Sequence, residues 1–196
     1  MSPSAIFRRT FSLCALLSCA ASPAAAQDLT NDNIAGPYVP TPWVIVDAML
    51  KLADIRPGDV VYDLGSGDGR LVIQAAKRYG ARGVGVEYQK ELVDLATRSA
   101  AAEGVADRVK FLHGDLFEAD VRDASVVMLY LLPSFTTRVA TKLRAELRPG
   151  ARIVSHDYPL SPWPPDKKVS MDVEEKEMIS GTSWTHLFYY VVPGRR

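Results

Sequence analysis

Residues 60–71 read VVYDLGSGDGRL, and this stretch decides the fold. Its first five residues form an apolar run with the length of a buried strand, and the residues that follow Gly69 show the apolar spacing that is typical of a helix. Three glycines and three charged residues lie at or near the point where the strand gives way to the helix. In open α/β sheets, a turn at this place holds a small molecule beyond the carboxyl ends of the strands.

Strands and helices alternate on both sides of this turn. The spacing predicts strands at 60–64, 82–88, 108–114, 125–132 and 151–157, with helices at 69–79, 91–102 and 134–147. A helix that begins with Thr41 as N-cap and Pro42 in the first turn precedes them and runs to about residue 54. Alternation at this spacing implies right-handed crossovers, and therefore an α/β fold with a mostly parallel sheet and helices on both faces.

The C-terminal part departs from this alternation. Residues 167–178 alternate, with Val169, Met171 and Val173 on one side, and residues 183–192 are aromatic and β-branched. With Ser180 and Gly181 between them, the two stretches predict an antiparallel C-terminal hairpin that completes the sheet.

The spacing of the glycines excludes the two commonest phosphate-binding turns. Gly65, Gly67 and Gly69 follow the pattern G-x-G-x-G, whereas the dinucleotide pattern is G-x-G-x-x-G and would place its last glycine at Arg70. A P-loop is excluded as well, because no G-K-[ST] follows the turn.

The charges of the turn favour a cationic ligand. Asp63 and Asp68 would each repel a bound phosphate by about 1 to 4 kcal/mol at ~4 Å, depending on the effective dielectric. S-adenosylmethionine carries a sulfonium and an ammonium, and its single carboxylate can be received by the amides of the turn and the helix N-terminus. The turn therefore predicts S-adenosylmethionine as the cofactor.

Acidic residues also follow the next two strands. Glu87 ends the second strand, where a carboxylate can accept both ribose hydroxyls of a nucleoside. Asp115 follows the third strand and can accept the adenine amino group, with Leu116 beside the ring. The full set of residues predicted to bind the cofactor is Thr41, Asp63, Gly65, Ser66, Gly67, Asp68, Gly69, Glu87, Tyr88, Asp115 and Leu116.

With these residues in place, the chain resembles the class I S-adenosylmethionine-dependent methyltransferases, with motif I at YDLGSGDG (62–69). It is closest to the small mitochondrial-type protein-lysine methyltransferases that modify the ATP synthase c subunit and the adenine nucleotide translocator. The shared stretches are PYVPTP (37–42), DLGSGDGR (63–70), GVE (85–87), GDL (114–116) and PWPPD (162–166). The resemblance implies a Rossmann-like fold with seven strands and transfer of a methyl group to a protein lysine.

Two stretches depart from that family. YQKEL replaces an Asn-Pro-Trp-like stretch after Glu87, and LF replaces a Leu-Trp pair after Asp115. The acceptor is therefore less well determined than the cofactor, and a small-molecule methyltransferase or a non-catalytic S-adenosylmethionine-binding protein stays open.

Methyl transfer is an in-line displacement, and alignment of donor and acceptor can supply up to ~7 to 11 kcal/mol of its acceleration. The residues predicted to act near the methyl group are Tyr130 and Pro133, after the fourth strand, and Tyr38, from the lead-in. The alternative set is His156, Asp157 and Tyr158, at the end of the fifth strand, and the other two histidines are predicted to be structural.

The first 26 residues resemble an export signal, with Arg8 and Arg9 before a short apolar core and small residues ending at Ala26. We predict an exported protein, periplasmic or associated with the envelope, with an inward-facing membrane anchor or lipidation at Cys19 as alternatives. The predicted domains are the signal at 1–26, a lead-in and helix at 27–58, and the S-adenosylmethionine-binding methyltransferase domain at 59–196.

The composition limits the partners. The chain has 23 basic and 23 acidic residues, a net charge of zero that does not indicate general binding to nucleic acid. Both cysteines lie inside the predicted signal, so the mature chain would have neither a disulfide nor a thiolate metal site. We predict a monomer without metal whose partner is a protein with a methylatable lysine, or a small-molecule acceptor.

Overall fold

The structure is a computed structural model that describes residues 38–194. Within this range the chain forms seven strands and five helices. The strands are β1 (Val60–Leu64), β2 (Arg82–Glu87), β3 (Val109–His113), β4 (Val126–Leu129), β5 (Arg152–His156), β6 (Lys167–Asp172) and β7 (Trp184–Val191). The helices are α1 (Trp43–Leu52), α2 (Arg70–Tyr79), α3 (Lys90–Ala102), α4 (Pro133–Glu146) and α5 (Glu174–Ser180).

All seven strands belong to one sheet, in the order β3-β2-β1-β4-β5-β7-β6. Strand β7 runs antiparallel to both of its neighbours, and the other pairs are parallel. The strand order reverses at β1, because β1 pairs with β2 on one side and with β4 on the other. The predicted α/β fold, with its mostly parallel sheet and antiparallel C-terminal pair, is confirmed.

Helices cover both faces of the sheet. Val61 faces a cluster that contains the apolar sides of α1 and α2, whereas its neighbour Tyr62 faces a second cluster that contains Val139 and Leu143 of α4. Successive residues of a strand point to opposite faces, so a strand that is buried on both sides is apolar throughout. The carboxyl ends of β1, β2 and β4 are thereby fixed at one edge of the sheet.

Three details of the predicted elements are wrong. Pro42, not Thr41, occupies the N-cap of α1, and its carbonyl accepts the amides of Ile45 and Val46 at 2.9 and 3.0 Å. Strand β4 ends at Leu129, three residues early, because the chain leaves the sheet there. The stretch predicted to be one strand at 167–178 divides into β6 and the helix α5, so the turn at Ser180 and Gly181 is the end of a helix.

Residues 1–26, for which an export signal is predicted, lie outside the described residues. Among residues 38–194, none of the helices has both the length and the apolar character that crossing a membrane requires.

Candidate active site

A cavity of about 260 Å³ lies at the carboxyl ends of the parallel strands. This volume is just below the range of about 300 to 1,000 Å³ for small-molecule sites. Most of the predicted site residues form its wall: Tyr38, Thr41, Asp63, Gly65, Ser66, Gly67, Asp68, Glu87, Tyr88, Leu116 and Tyr130.

The glycine turn forms the floor of this cavity. The Gly65 and Ser66 amides both donate to the Val86 carbonyl, at 2.9 and 3.0 Å, so the turn is fastened to the end of β2. Gly67 has a φ of +54°, and a Cβ at that position would lie 2.5 Å from the Tyr38 ring. Only glycine lets Tyr38 approach the turn this closely.

Asp63 is the most deeply buried acid of the cavity wall. Burial raises its pKa well above the ordinary value, and the negative charges of Glu87 and Asp68 raise it further. A carboxyl group in this situation is stabilised as an anion when a positive charge enters the cavity.

Glu87 connects β2 to the glycine turn. One carboxylate oxygen accepts the Gly67 amide at 2.9 Å, and the other accepts the Gln89 amide at 2.9 Å. Each oxygen has a further lone pair, so the same carboxylate can also accept the hydroxyls of a nucleoside.

Asp68 and Arg70 form a partly buried ion pair in the turn, with Nη2 and Oδ2 2.7 Å apart. Burial alone would raise the pKa of Asp68, but the hydrogen bonds and charge of Arg70 outweigh it and keep that pKa below its ordinary value. Arg70 also donates to the Thr41 carbonyl at 2.6 Å, and its guanidinium lies 4.8 Å from the centre of the Trp43 ring. The pair therefore holds the lead-in segment, including Tyr38, over the cavity.

Tyr130, which follows β4, also lines the cavity. Burial, followed by the charge of Asp157, raises its pKa to about 12, so the phenol keeps its proton at neutral pH. Its ring centre lies 4.0 Å from that of His156, which is fully buried and outside the cavity wall. Of the alternative catalytic set, only Tyr158 lines the cavity.

Three predicted residues lie beside the cavity and do not line it. Gly69 is the N-cap of α2, and Pro133 begins α4. The Asp115 carboxylate accepts the Phe117 amide at 2.8 Å, so it shapes the turn between Gly114 and Leu116, both of which do line the cavity.

Sequence reasoning missed several residues of the wall. Those that precede β4 in the chain are Val39, Pro40, Arg70, Leu71, Val86, Gln89, Leu92 and Gly114, and those that follow β4 are Leu131, Leu132, Ile179 and Ser180. Gln89 and Leu92 were detectable because they follow Glu87 at the start of α3. Ile179 and Ser180 carry no such signal, because the pattern predicts a strand up to residue 178 and a turn at Ser180 where the structure has helix α5.

The cavity fits S-adenosylmethionine better than a metal ion. The described part of the chain contains no cluster of three His, Cys, Asp or Glu residues that could hold a metal. The Ser66 hydroxyl is buried without a hydrogen-bond partner, which is costly unless a ligand supplies one. Ser66, Asp63 and Glu87 thus offer one polar and two acidic groups to a nucleoside that carries a cationic tail.

The strand order and this acidic cavity define a class I S-adenosylmethionine-dependent methyltransferase. A model of the ANTKMT methyltransferase domain matches residues 63–167, and the chain belongs to this family. The predicted family, enzyme class and cofactor are confirmed: the protein is a methyltransferase, and S-adenosylmethionine is its methyl donor.

Three relatives illustrate the family. A protein-lysine N-methyltransferase of Saccharolobus islandicus is 39% identical over 137 residues, which is 69% of this chain and 85% of that protein. The adenine nucleotide translocase lysine N-methyltransferase of Mus musculus is 42% identical over 130 residues. This alignment covers 66% of this chain and 56% of the mouse protein, so the chain spans little more than half of that relative.

The third is a solved structure, that of an RNA methyltransferase from Salinibacter ruber in complex with S-adenosyl-L-homocysteine. It is 47% identical with a TM-score of 0.72, over 81% of this chain and 96% of that chain.

Proposed function

We propose that this enzyme methylates the ε-amino group of a lysine in a protein substrate. The observation that carries the proposal is the 39% identity to a protein-lysine N-methyltransferase across 69% of the chain. The lining of the cavity supports it, since Tyr38, Leu132 and Ile179 are partly exposed and offer apolar contacts to the methylene stem of a lysine.

The cofactor-binding residues of the cavity orient the methyl donor. When bound, S-adenosylmethionine supplies an electrophilic methyl group on a sulfonium. Glu87 would hold the nucleoside end and Asp63 would face the cationic end, so the two carboxylates would orient the donor in a cavity that Tyr130 also lines. Such alignment is the main source of acceleration in a displacement of this kind.

The acceptor side receives the amine. The electron-rich faces of Tyr130 and Tyr38 attract a lysine ammonium, and the Tyr130 hydroxyl oxygen can accept a hydrogen bond from the neutral amine. The lysine must lose one proton before attack, and water in the open cavity is an adequate acceptor for it. Tyr38, Tyr130 and Pro133 stay predictions as catalytic residues, with Pro133 setting the turn that follows Leu132.

A transfer assay tests the proposal directly. The enzyme is incubated with radiolabelled S-adenosylmethionine and with fractionated soluble and envelope proteins, and labelled bands are analysed for methyl-lysine. We expect label on lysine that disappears when lysines are chemically acetylated beforehand or when Asp63→Ala replaces the wild type. Turnover without any methyl-lysine would contradict the proposal.

RNA is the second candidate acceptor, because the 47% identical Salinibacter ruber protein is an RNA methyltransferase. The zero net charge argues against it, since RNA-binding surfaces are usually basic. The same assay separates the candidates. Ribonuclease-sensitive label would favour RNA, and label in small acid-soluble compounds would favour a metabolite.

Export and a monomeric state also belong to the proposal. Residues 1–26 have the pattern of an export signal, although S-adenosylmethionine is made inside cells. Cell fractionation with N-terminal sequencing distinguishes a cleaved, exported enzyme from one held by an inward-facing anchor. Light scattering of the purified enzyme tests the monomer.

A further inference from the structure

The cavity has a second wall that none of the cofactor motifs accounts for. It consists of Leu132, which follows β4, Tyr158, which follows β5, and Ile179 and Ser180 at the end of α5. We call these four residues the acceptor wall. None of them belongs to β1 or β2, the strands that carry Asp63 and Glu87.

A buried lysine fastens α5 in this position. Lys176 is 2% exposed, although lysine is among the residues least often buried. Its Nζ lies 2.9 Å from Asp157 Oδ2 and donates to the Trp184 carbonyl at 2.5 Å. Because a buried ion pair contributes little net stability, its presence calls for another explanation.

Asp157 joins three elements at one point. It follows β5 directly, with a φ of +62°, a strained value for a residue other than glycine. Its carboxylate accepts the Thr185 hydroxyl at 2.9 Å and the His186 amide at 3.2 Å, in addition to Lys176. Asp157 therefore ties α5 and the start of β7 to the segment that carries Tyr158.

Neighbouring side chains of α5 differ in what they face. Ile179 lines the cavity and is 38% exposed, whereas Met178 is 93% exposed and does not line it. The methylene stem of a lysine is apolar and packs well against such a side chain, while its amine extends towards the donor.

From these contacts we infer that α5 determines acceptor specificity. Ile179 and Ser180 contact the stem of the acceptor lysine, and Lys176 and Asp157 are positioning residues that hold α5 at the required distance. The inference rests on the proposed lysine methylation and extends it to residues outside the cofactor motifs.

A matched pair of surface variants tests the contact. Ile179→Asp is expected to raise the KM for the acceptor protein at least about tenfold and to change the Kd of S-adenosylhomocysteine less than about twofold. Met178→Asp makes the same change one residue earlier and is expected to leave both values unchanged. The inference would be overturned if the two variants had equal KM values. It would also be overturned if the Kd of S-adenosylhomocysteine rose in Ile179→Asp by as large a factor as the acceptor KM.

A second arm tests the positioning pair. Lys176→Met is expected to raise the acceptor KM at least about fivefold at a nearly constant cofactor Kd. Lys176→Arg keeps the positive charge and is expected to have an acceptor KM close to that of the wild type. A purely structural role predicts instead that the melting temperature falls while KM and Kd stay at the wild-type values for the folded fraction.

A binding measurement separates this inference from the proposed function. The probe is a bisubstrate analogue, in which a lysine-like aminoalkyl chain is attached at the sulfur position of the adenosyl cofactor. Wild type and Met178→Asp are expected to bind it at least about tenfold more tightly than S-adenosylhomocysteine, and Ile179→Asp is expected to lose that gain. If the gain is absent in wild type or persists in Ile179→Asp, the inference fails, whatever acceptor the transfer assay identifies.

Discussion

The Glu87 carboxylate accepts the Gly67 amide across 2.9 Å, so the end of β2 and the glycine turn form a single unit. The two residues are 20 positions apart in the chain and come together because β1 and β2 are parallel neighbours. A side chain predicted to hold the ribose thus also shapes the turn predicted to receive the amino-acid tail.

Replacing Glu87 should therefore weaken cofactor binding more than the loss of one ribose contact. Glu87→Ala leaves the Gly67 and Gln89 amides without their partners, at about 1 to 3 kcal/mol for each buried group. We expect the Kd of S-adenosylhomocysteine, measured by calorimetry, to rise at least about tenfold. Glu103→Ala, which removes an exposed partner of Lys77, is the control, and a Kd within twofold of wild type for Glu87→Ala would refute the assignment.

Gly67→Ala tests the close approach of Tyr38. A matched control is Gly104→Ala, because Gly104 has a φ of +70° and nothing within 4 Å of an added Cβ. Both variants incur the left-handed backbone cost of about 1 to 2 kcal/mol, but only Gly67→Ala displaces the Tyr38 ring. We expect only Gly67→Ala to lose cofactor affinity, and Tyr38→Ala to restore part of it in the double variant. If the losses of cofactor affinity in Gly67→Ala and Tyr38→Ala add in the double variant, contact with the Tyr38 ring is not the cause of the Gly67→Ala effect.

Asp63 should release a proton when the cofactor binds. Its pKa is raised by burial and by Glu87 and Asp68, and a cationic ligand stabilises the anion and lowers that pKa. Affinity for S-adenosylmethionine should thus increase as the pH rises through the pKa of the free enzyme. Calorimetry in two buffers with different ionisation enthalpies measures the released proton, and Asp63→Asn should abolish the buffer dependence. A dependence that persists in that variant would assign the proton to another group.

His156 should make the fold sensitive to mild acid. Burial of its ring lowers its pKa to about 4, below the ordinary 6.5, so the unfolded chain binds the proton more readily than the folded one. The contribution of neutral His156 to the free energy of unfolding is fully present above pH 6.5. About 1 to 3 kcal/mol of it is lost as the pH falls towards 4. Urea unfolding of His156→Gln should show a shallower loss over this window, and exposed His113→Gln should match wild type. Parallel curves for wild type and His156→Gln would contradict the assignment.

Burial and periodicity made most of the fold predictable. Strand β1 has its predicted limits and β5 lies within one residue of them at each end, because apolar runs between glycine or proline turns have few alternatives in an α/β chain. Helix α5 was missed because the alternation of Val169, Met171 and Val173 continues the pattern of β6 up to the helix. Nothing in the sequence marks the end of β6 at Asp172. The burial of Lys176, which distinguishes α5 from a strand, depends on Asp157, a partner distant in sequence.

The candidate site divides in the same way. Its cofactor side was predictable, since Asp63, Glu87 and the glycines have fixed places at strand ends. The α5 part of its acceptor wall was not, because Ile179 and Ser180 belong to a helix that is fastened by the pairing of Lys176 with Asp157. Arg70, too, reads as an ordinary surface charge until its contact with the Thr41 carbonyl is seen.

Strand β7 is synthesised after β5 and β6, yet it lies between them in the sheet. During translation the edge of β5 and the whole of β6 must therefore wait for residues 184–191 to leave the ribosome. An uncovered strand edge invites pairing with other chains. A chain that stops before Trp184 would keep the residues of the acceptor wall but leave the edges of β5 and β6 unpaired, and we expect it to aggregate.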